Sequence, residues 1–182
     1  MLRLYLSRLS LALLLLPCLG AAQPYAGVNL ALPLITKEPD TLHGYQFLMS
    51  YDPDRFQWRK FNLLFDAGIA HFWVNNTPYY TTLTIYSLAP IIRYTFNPHF
   101  NCRPYLDLSI GIAYLNHTRF EERNLGIHFS FQDRLGVGTY IGTAERFSVG
   151  LHAVHYSNAH LANHNSGVSI PLELDIGYRF PL

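Results

Sequence analysis

Leu172-Glu173-Leu174-Asp175-Ile176-Gly177-Tyr178-Arg179-Phe180 alternates between apolar and polar residues without a break. Successive side chains of an extended strand point to opposite faces. Leu172, Leu174, Ile176, Tyr178 and Phe180 therefore share one face, and Glu173, Asp175, Gly177 and Arg179 share the other. A half-buried strand of a secreted sandwich has this period. So does a strand of an outer-membrane barrel, apolar toward lipid and polar toward the lumen. The rest of the chain decides between them.

Eight segments read as strands from alternation and from β-branched or aromatic content: residues 25–35, 44–52, 57–73, 82–96, 102–116, 127–142, 146–158 and 168–180. Several are longer than the usual strand of a soluble domain and suit a tilted bilayer crossing. The connections alternate in character. Asp52-Pro53-Asp54, Asn97-Pro98-His99 and Gly142-Thr143-Ala144 are compact, whereas residues 36–44, 74–81, 117–125 and 159–167 are longer and more polar. Short turns on one rim and long loops on the other divide the periplasmic from the extracellular side of a membrane barrel. The expected fold is all-β, an eight-stranded antiparallel transmembrane β-barrel. Its interior is just wide enough for side chains, so it is not a pore. Trp58 and Trp73, near opposite ends of the third strand, read as interfacial girdle residues.

The N-terminus agrees with that address. Arg3 and Arg8 precede an apolar run to Leu19, and Gly20-Ala21-Ala22 supplies small residues before Gln23. This is the pattern of a cleaved secretory signal peptide over residues 1–22, with residues 23–182 as the mature barrel domain. The apolar run is too short to span a bilayer as a helix. Cys102 alone remains of the two cysteines, so no intramolecular disulfide can form. A net charge of +1 argues against a nucleic-acid partner.

The chemistry concentrates in His155-Tyr156-Ser157-Asn158-Ala159. His155 and Ser157, two residues apart on a strand, point the same way and share parity with Phe147, Val149, Leu151 and Ala153. A hydroxyl beside an imidazole is the minimum equipment of a serine hydrolase. The apolar members of that face place the pair on the lipid-facing side, near the extracellular rim, which calls for a lipid substrate. If the turn at residues 142–144 closes tightly, Asp133 falls opposite His155 on the outward face and could orient the imidazole; it could equally pair with Arg134 or a rim cation. His152, His155, His160 and His164 do not form a convincing metal set, because His152 has the opposite parity to His155.

Residues 125–136 (Leu-Gly-Ile-His-Phe-Ser-Phe-Gln-Asp-Arg-Leu-Gly), the His-Tyr-Ser-Asn-Ala run and Asn165-Ser166-Gly167 together resemble the lipid A 3-O-deacylases, the PagL family. That resemblance implies an eight-stranded barrel with its active site on the outer surface. It implies hydrolysis of the ester that holds the 3-linked hydroxyacyl chain on lipid A. The family's catalytic histidine and serine fall on His155 and Ser157, and its oxyanion-stabilising positions on Asn165 and the backbone N–H of His160, with Asn158 close by in support. A glutamate that orients the histidine should stand fourteen residues after it, where this chain has Ser169. Glu173 has the right chemistry but lies farther along the strand with inward parity, unless Pro171 marks a bulge.

The expectation is an outer-membrane serine esterase acting on lipid A or lipopolysaccharide of the outer leaflet, needing neither metal nor cofactor. A homodimer is left open. The alternative is a catalytically weak or inactive barrel of the same family with a structural or lipid-binding role, which the serine at position 169 makes admissible.

Overall fold

A computed structural model describes residues 23–39, 41–75 and 80–182. The expected signal peptide lies outside these residues. Eight long strands follow in chain order: β1 (Tyr25–Ile35), β2 (His43–Asp52), β3 (Phe61–Trp73), β4 (Thr82–Thr95), β5 (Cys102–Leu115), β6 (Phe129–Ile141), β7 (Phe147–Ser157) and β8 (Val168–Pro181). Each pairs antiparallel with its neighbours in sequence, and β1 also pairs with β8, from Tyr25↔Pro181 to Ile35↔Leu172. The sheet thereby closes on itself and has no free edge, which is what a spanning β-structure requires in lipid.

The period of two sorts the side chains. Along β5, Leu106, Leu108, Ile110, Ile112 and Tyr114 face out and are 43–62% exposed, while Tyr105, Asp107, Ser109, Ala113 and Leu115 are buried within. So continuous an exposed apolar band belongs against hydrocarbon, not water.

The lumen divides into two storeys. Toward the long loops, Phe72, Leu83, Leu115, Phe120, Tyr156 and Ile170 belong to one apolar cluster. Toward the termini lies a charged layer. Arg93 pairs with Asp107 at 2.6 Å, and Arg134 pairs with Asp175 at 2.7 Å and Asp66 at 3.4 Å. A cavity of only about 30 Å³ remains beside this layer. The interior is a packed core, not a channel.

Strand three differs from expectation at its start. Gln57 and Trp58 form a separate short hairpin with Phe61 and Asn62, and Arg59 at the turn takes a φ of +58°. Trp58 stacks on Phe61 in that hairpin at 5.8 Å, while Trp73 stays at the loop end of β3, 6.4 Å from Tyr45. Alternation alone could not see the break, because the hairpin residues are themselves aromatic. A register shift in the β7–β8 pairing between His152 and Val154 places a bulge beside Pro171. Glu173 nevertheless points inward, 1% exposed and 3.5 Å from Arg134.

Candidate active site

The loop-proximal end of β7 carries the expected pair. Inward residues anchor this stretch: Val154 and Tyr156 sit in the apolar cluster, and the Tyr156 hydroxyl accepts hydrogen bonds from Gln132 Nε2 at 3.1 Å and Gln46 Nε2 at 3.3 Å. With these side chains held inside, His155 and Ser157 must face out, and both are half-buried. Two strand steps separate them by ~6.6 Å between Cα atoms, at about 3.3 Å per residue.

His155 pairs across to Asp133 on β6 and to Ser169 on β8. Its Nδ1 lies 2.8 Å from Ser169 Oγ. The position expected to hold a glutamate thus still contacts the imidazole, through a hydroxyl. Asp133 occupies the register opposite His155, exposed on the outer face. Arg134 turns the other way into the lumen, so it is not the cation beside Asp133.

A third group joins this pair from a loop. Ser169 Oγ donates to Glu38 Oε2 at 3.1 Å. Glu38 lies beyond the end of β1, yet the chain there returns to the sheet as an isolated bridge to Ser169. Sequence reasoning has no handle on Glu38: it falls in a polar loop where side-chain alternation no longer reports direction.

The loop after β7 turns sharply. Ala159 and His160 both take left-handed φ values, +51° and +62°, and Leu161 N donates to Asn158 O at 3.0 Å. Two successive non-glycine residues in that region mark a conformation held by its surroundings. Asn158, 2% exposed, does the holding. Its Nδ2 donates to Leu125 O at 2.9 Å and His164 O at 2.6 Å, and its backbone N–H donates to Asn165 Oδ1 at 2.8 Å. Asn158 is thus the fastener between the third and fourth long loops, and Asn165 is the residue it orients. With Oδ1 committed, the Nδ2 group of Asn165 remains as a donor.

Gly126 and Gly167 permit this closeness. A Cβ on Gly126 (φ +83°) would lie 2.2 Å from His164 O, and one on Gly167 (φ +64°) 3.1 Å from His155 Cε1. Only glycine combines a left-handed φ with so near an approach.

Beside His155 an apolar groove of about 370 Å³ runs down the outer wall, lined by Leu108, Ile110, Leu135, Ala153 and Pro171, with Asp133, His155 and Ser169 at its polar edge. The site therefore offers a nucleophile and base candidate, a backbone N–H at His160 in the tight turn, the Nδ2 group of Asn165, and an apolar groove continuous with the membrane face. His152 is buried in the lumen, 3.5 Å from Asp107, on the opposite face of the wall from the outward His155.

Comparisons with known proteins place the chain in a family. The family described as lipid A 3-O-deacylase (PagL) matches residues 43–179. The chain is 30% identical to the lipid A deacylase PagL of Pseudomonas aeruginosa over 142 residues, 76% of this chain and 78% of that one. It is 26% identical to the lipid A deacylase PagL of Bordetella bronchiseptica over 143 residues, covering 79% of this chain and 72% of that one. The crystal structure of the outer membrane enzyme PagL superposes with a TM-score of 0.66 at 27% identity, over 86% of this chain and 99% of that one. Neisserial surface protein A shares the fold alone, with a TM-score of 0.56 at 13% identity over 87% of this chain and 97% of that one. None of these lends support to a homodimer. A closed barrel with an apolar outer belt, matched in sequence and in three dimensions to these enzymes, is an outer-membrane hydrolase, and the chain belongs to the lipid A 3-O-deacylase (PagL) family.

Proposed function

We propose that this barrel removes the 3-O-linked hydroxyacyl chain of lipid A by a Ser-His mechanism, with Ser157 as nucleophile and His155 as base. The observation that carries the proposal is the bond between His155 Nδ1 and Ser169 Oγ. It engages one ring nitrogen and leaves Nε2 for the reacting face, next to an apolar groove open to the membrane.

Ser157 Oγ attacks the ester carbonyl as its proton passes to Nε2. The carbonyl oxygen becomes an oxyanion, for which Asn165 Nδ2 and the backbone N–H of His160 are the fixed donors. Collapse breaks the bond to the sugar oxygen, which takes the proton from His155 and leaves. Water, deprotonated by the same imidazole, then attacks the acyl-serine; the hydroxy fatty acid leaves as the bond to Ser157 Oγ breaks, and His155 returns its proton to Oγ. The groove beside His155 holds the acyl chain throughout. Every group in this sequence belongs to the protein, the lipid or water.

The test is expression in an outer membrane carrying lipid A, followed by mass spectrometry of the extracted lipid. The expected result is loss of one hydroxyacyl chain, abolished by Ser157→Ala and by His155→Ala. Unchanged lipid A from a correctly folded, heat-modifiable barrel would instead support the inactive, lipid-binding reading that Ser169 makes admissible. Full activity in Ser157→Ala would overturn the mechanism.

A further inference from the structure

We propose that Glu38, delivered by the first long loop, is a positioning residue that acts on His155 through Ser169. This rests on the Ser-His reading above and adds a member to it.

One proton decides the geometry. A serine hydroxyl donates once and accepts through its lone pairs. Ser169 Oγ has two partners, Glu38 Oε2 at 3.1 Å and His155 Nδ1 at 2.8 Å. An ionised carboxylate only accepts, so the Ser169 proton goes to Glu38. Ser169 Oγ can then only accept from His155, which puts the imidazole proton on Nδ1 and leaves Nε2 bare to take the Ser157 proton. Without Glu38 the hydroxyl is free to reverse and donate to Nδ1. The ring proton then sits on Nε2, and the base is in the wrong tautomer. Tautomer control is the main duty of a triad carboxylate, and here the carboxylate performs it one hydroxyl removed.

The backbone holds Glu38 in place. Ser169 N donates to Glu38 O at 3.1 Å, and Lys37 N and Glu38 N approach Ser169 O at 3.3 and 3.4 Å. The carboxylate is therefore delivered by strand-like pairing against β8. Arg123 Nη1, held by Ser166 O at 3.1 Å, stands 3.9 Å from the same Oε2. That cation ties the first, third and fourth long loops around the imidazole.

The experiment uses the full barrel, refolded in detergent with lipid A, and four variants: Glu38→Gln, Glu38→Ala, Ser169→Glu and the double Glu38→Gln/Ser169→Glu. Glutamine can donate as well as accept, so it fails to dictate the Ser169 proton. We expect Glu38→Gln and Glu38→Ala to lower kcat by about 10- to 100-fold, less than the ~10⁴-fold of a directly bonded triad aspartate turned to asparagine. KM should hold within about twofold, since ground-state binding is untouched. Ser169→Glu puts a carboxylate directly on Nδ1, so the double variant should match Ser169→Glu alone. A loop-scaffolding role for Glu38 predicts the opposite, a defect that persists in the double variant, and that result would overturn the proposal. So would wild-type kcat in both Glu38 variants. If Ser169→Glu fails to fold, ¹⁵N spectra of the His155 ring decide: the Nδ1-protonated form should dominate in the native protein and give way to the Nε2-protonated form in Glu38→Ala. An unchanged tautomer would sink the idea. Ser157→Ala run alongside separates the two levels, because activity surviving there would remove the Ser-His reading itself.

Discussion

The backbone N–H of Asn158 donates to Oδ1 of Asn165 at 2.8 Å, and that bond decides what Asn165 can offer a substrate. An amide whose oxygen is taken presents its nitrogen. Asn165→Asp is the discriminating change, because an aspartate still accepts from Asn158 but has an oxygen where the donor was. The loop should keep its shape while the oxyanion meets a negative group. Losing one such donor costs on the order of 10²–10³ in kcat, and this variant should lose at least that. Lipid A turnover by purified protein, with heat-modifiability as the folding control, checks it. Activity near wild type would remove Asn165 from the oxyanion site.

Asp133 stands on the strand neighbouring β7, in register with His155, yet the Nδ1 of that ring is bonded to Ser169 Oγ. Its carboxylate lies at the mouth of the acyl groove. With orientation supplied from β8, Asp133→Ala should keep kcat within about threefold of wild type, the scale of an exposed, screened charge interaction. A fall beyond tenfold would return the orienting role to Asp133 and count against the Glu38–Ser169 route.

The acyl groove makes its own prediction. Ala153 lies on the outer face of β7, two residues before His155, and lines the groove. Ala153→Phe would fill part of that space from a lipid-facing position, where an apolar side chain does not disturb folding. Each methylene denied burial costs about 0.8 kcal/mol, so long-chain substrates should lose affinity while short-chain esters are spared. The measurement is KM against acyl length: a rise of roughly tenfold or more for the long chains, with kcat for the short ones unchanged. Uniform loss across lengths would place the acyl chain elsewhere.

The parts that could be read in advance, and the parts that could not, follow from where periodicity operates. Leu172 to Phe180 announces its two faces because the barrel wall separates lipid from lumen at every step, and the same rule put His155, Ser157 and Asp133 on the outer face. Ser169 opposite His155 is likewise a matter of register. The rule fails where the chain leaves the sheet. Arg59 breaks the third strand through a left-handed φ that apolar alternation does not encode. Glu38 lies past β1, and its return to Ser169 depends on a bridge 131 residues distant in sequence. Asn158 hides its role in another way. It looks like a neighbour of the serine in sequence, but its partners are Leu125, His164 and Asn165, which only the folded loops bring together.

Arg134 tests the interior on which the site stands. At 7% exposure it meets Asp175 at 2.7 Å, Asp66 at 3.4 Å and Glu173 at 3.5 Å, and its Nη2 lies 3.3 Å from His152 Nδ1. Among the described residues it is the one guanidinium shared by three carboxylates of the lower lumen. Its neighbours on β6 also carry Asp133 outward and Gln132 to the Tyr156 hydroxyl, so the charged layer and the site share a strand. Arg134→Met keeps much of the side-chain volume but takes the cation from all three carboxylates and leaves Asp175 only its bond from Asn29 Nδ2 at 2.7 Å. Breaking a buried ion pair by removing one partner costs about 3–5 kcal/mol, and here a single change strips several. Arg134→Lys should recover only part of this, because a point charge cannot bridge groups spread around a planar fork. Urea unfolding in lipid vesicles should show the Met variant weakened by at least that amount, with Lys between it and wild type. Equal stability in all three would mean that the carboxylates find compensation without Arg134, and the lumen could not then be the clamp that holds β6 and β7 in register beneath His155.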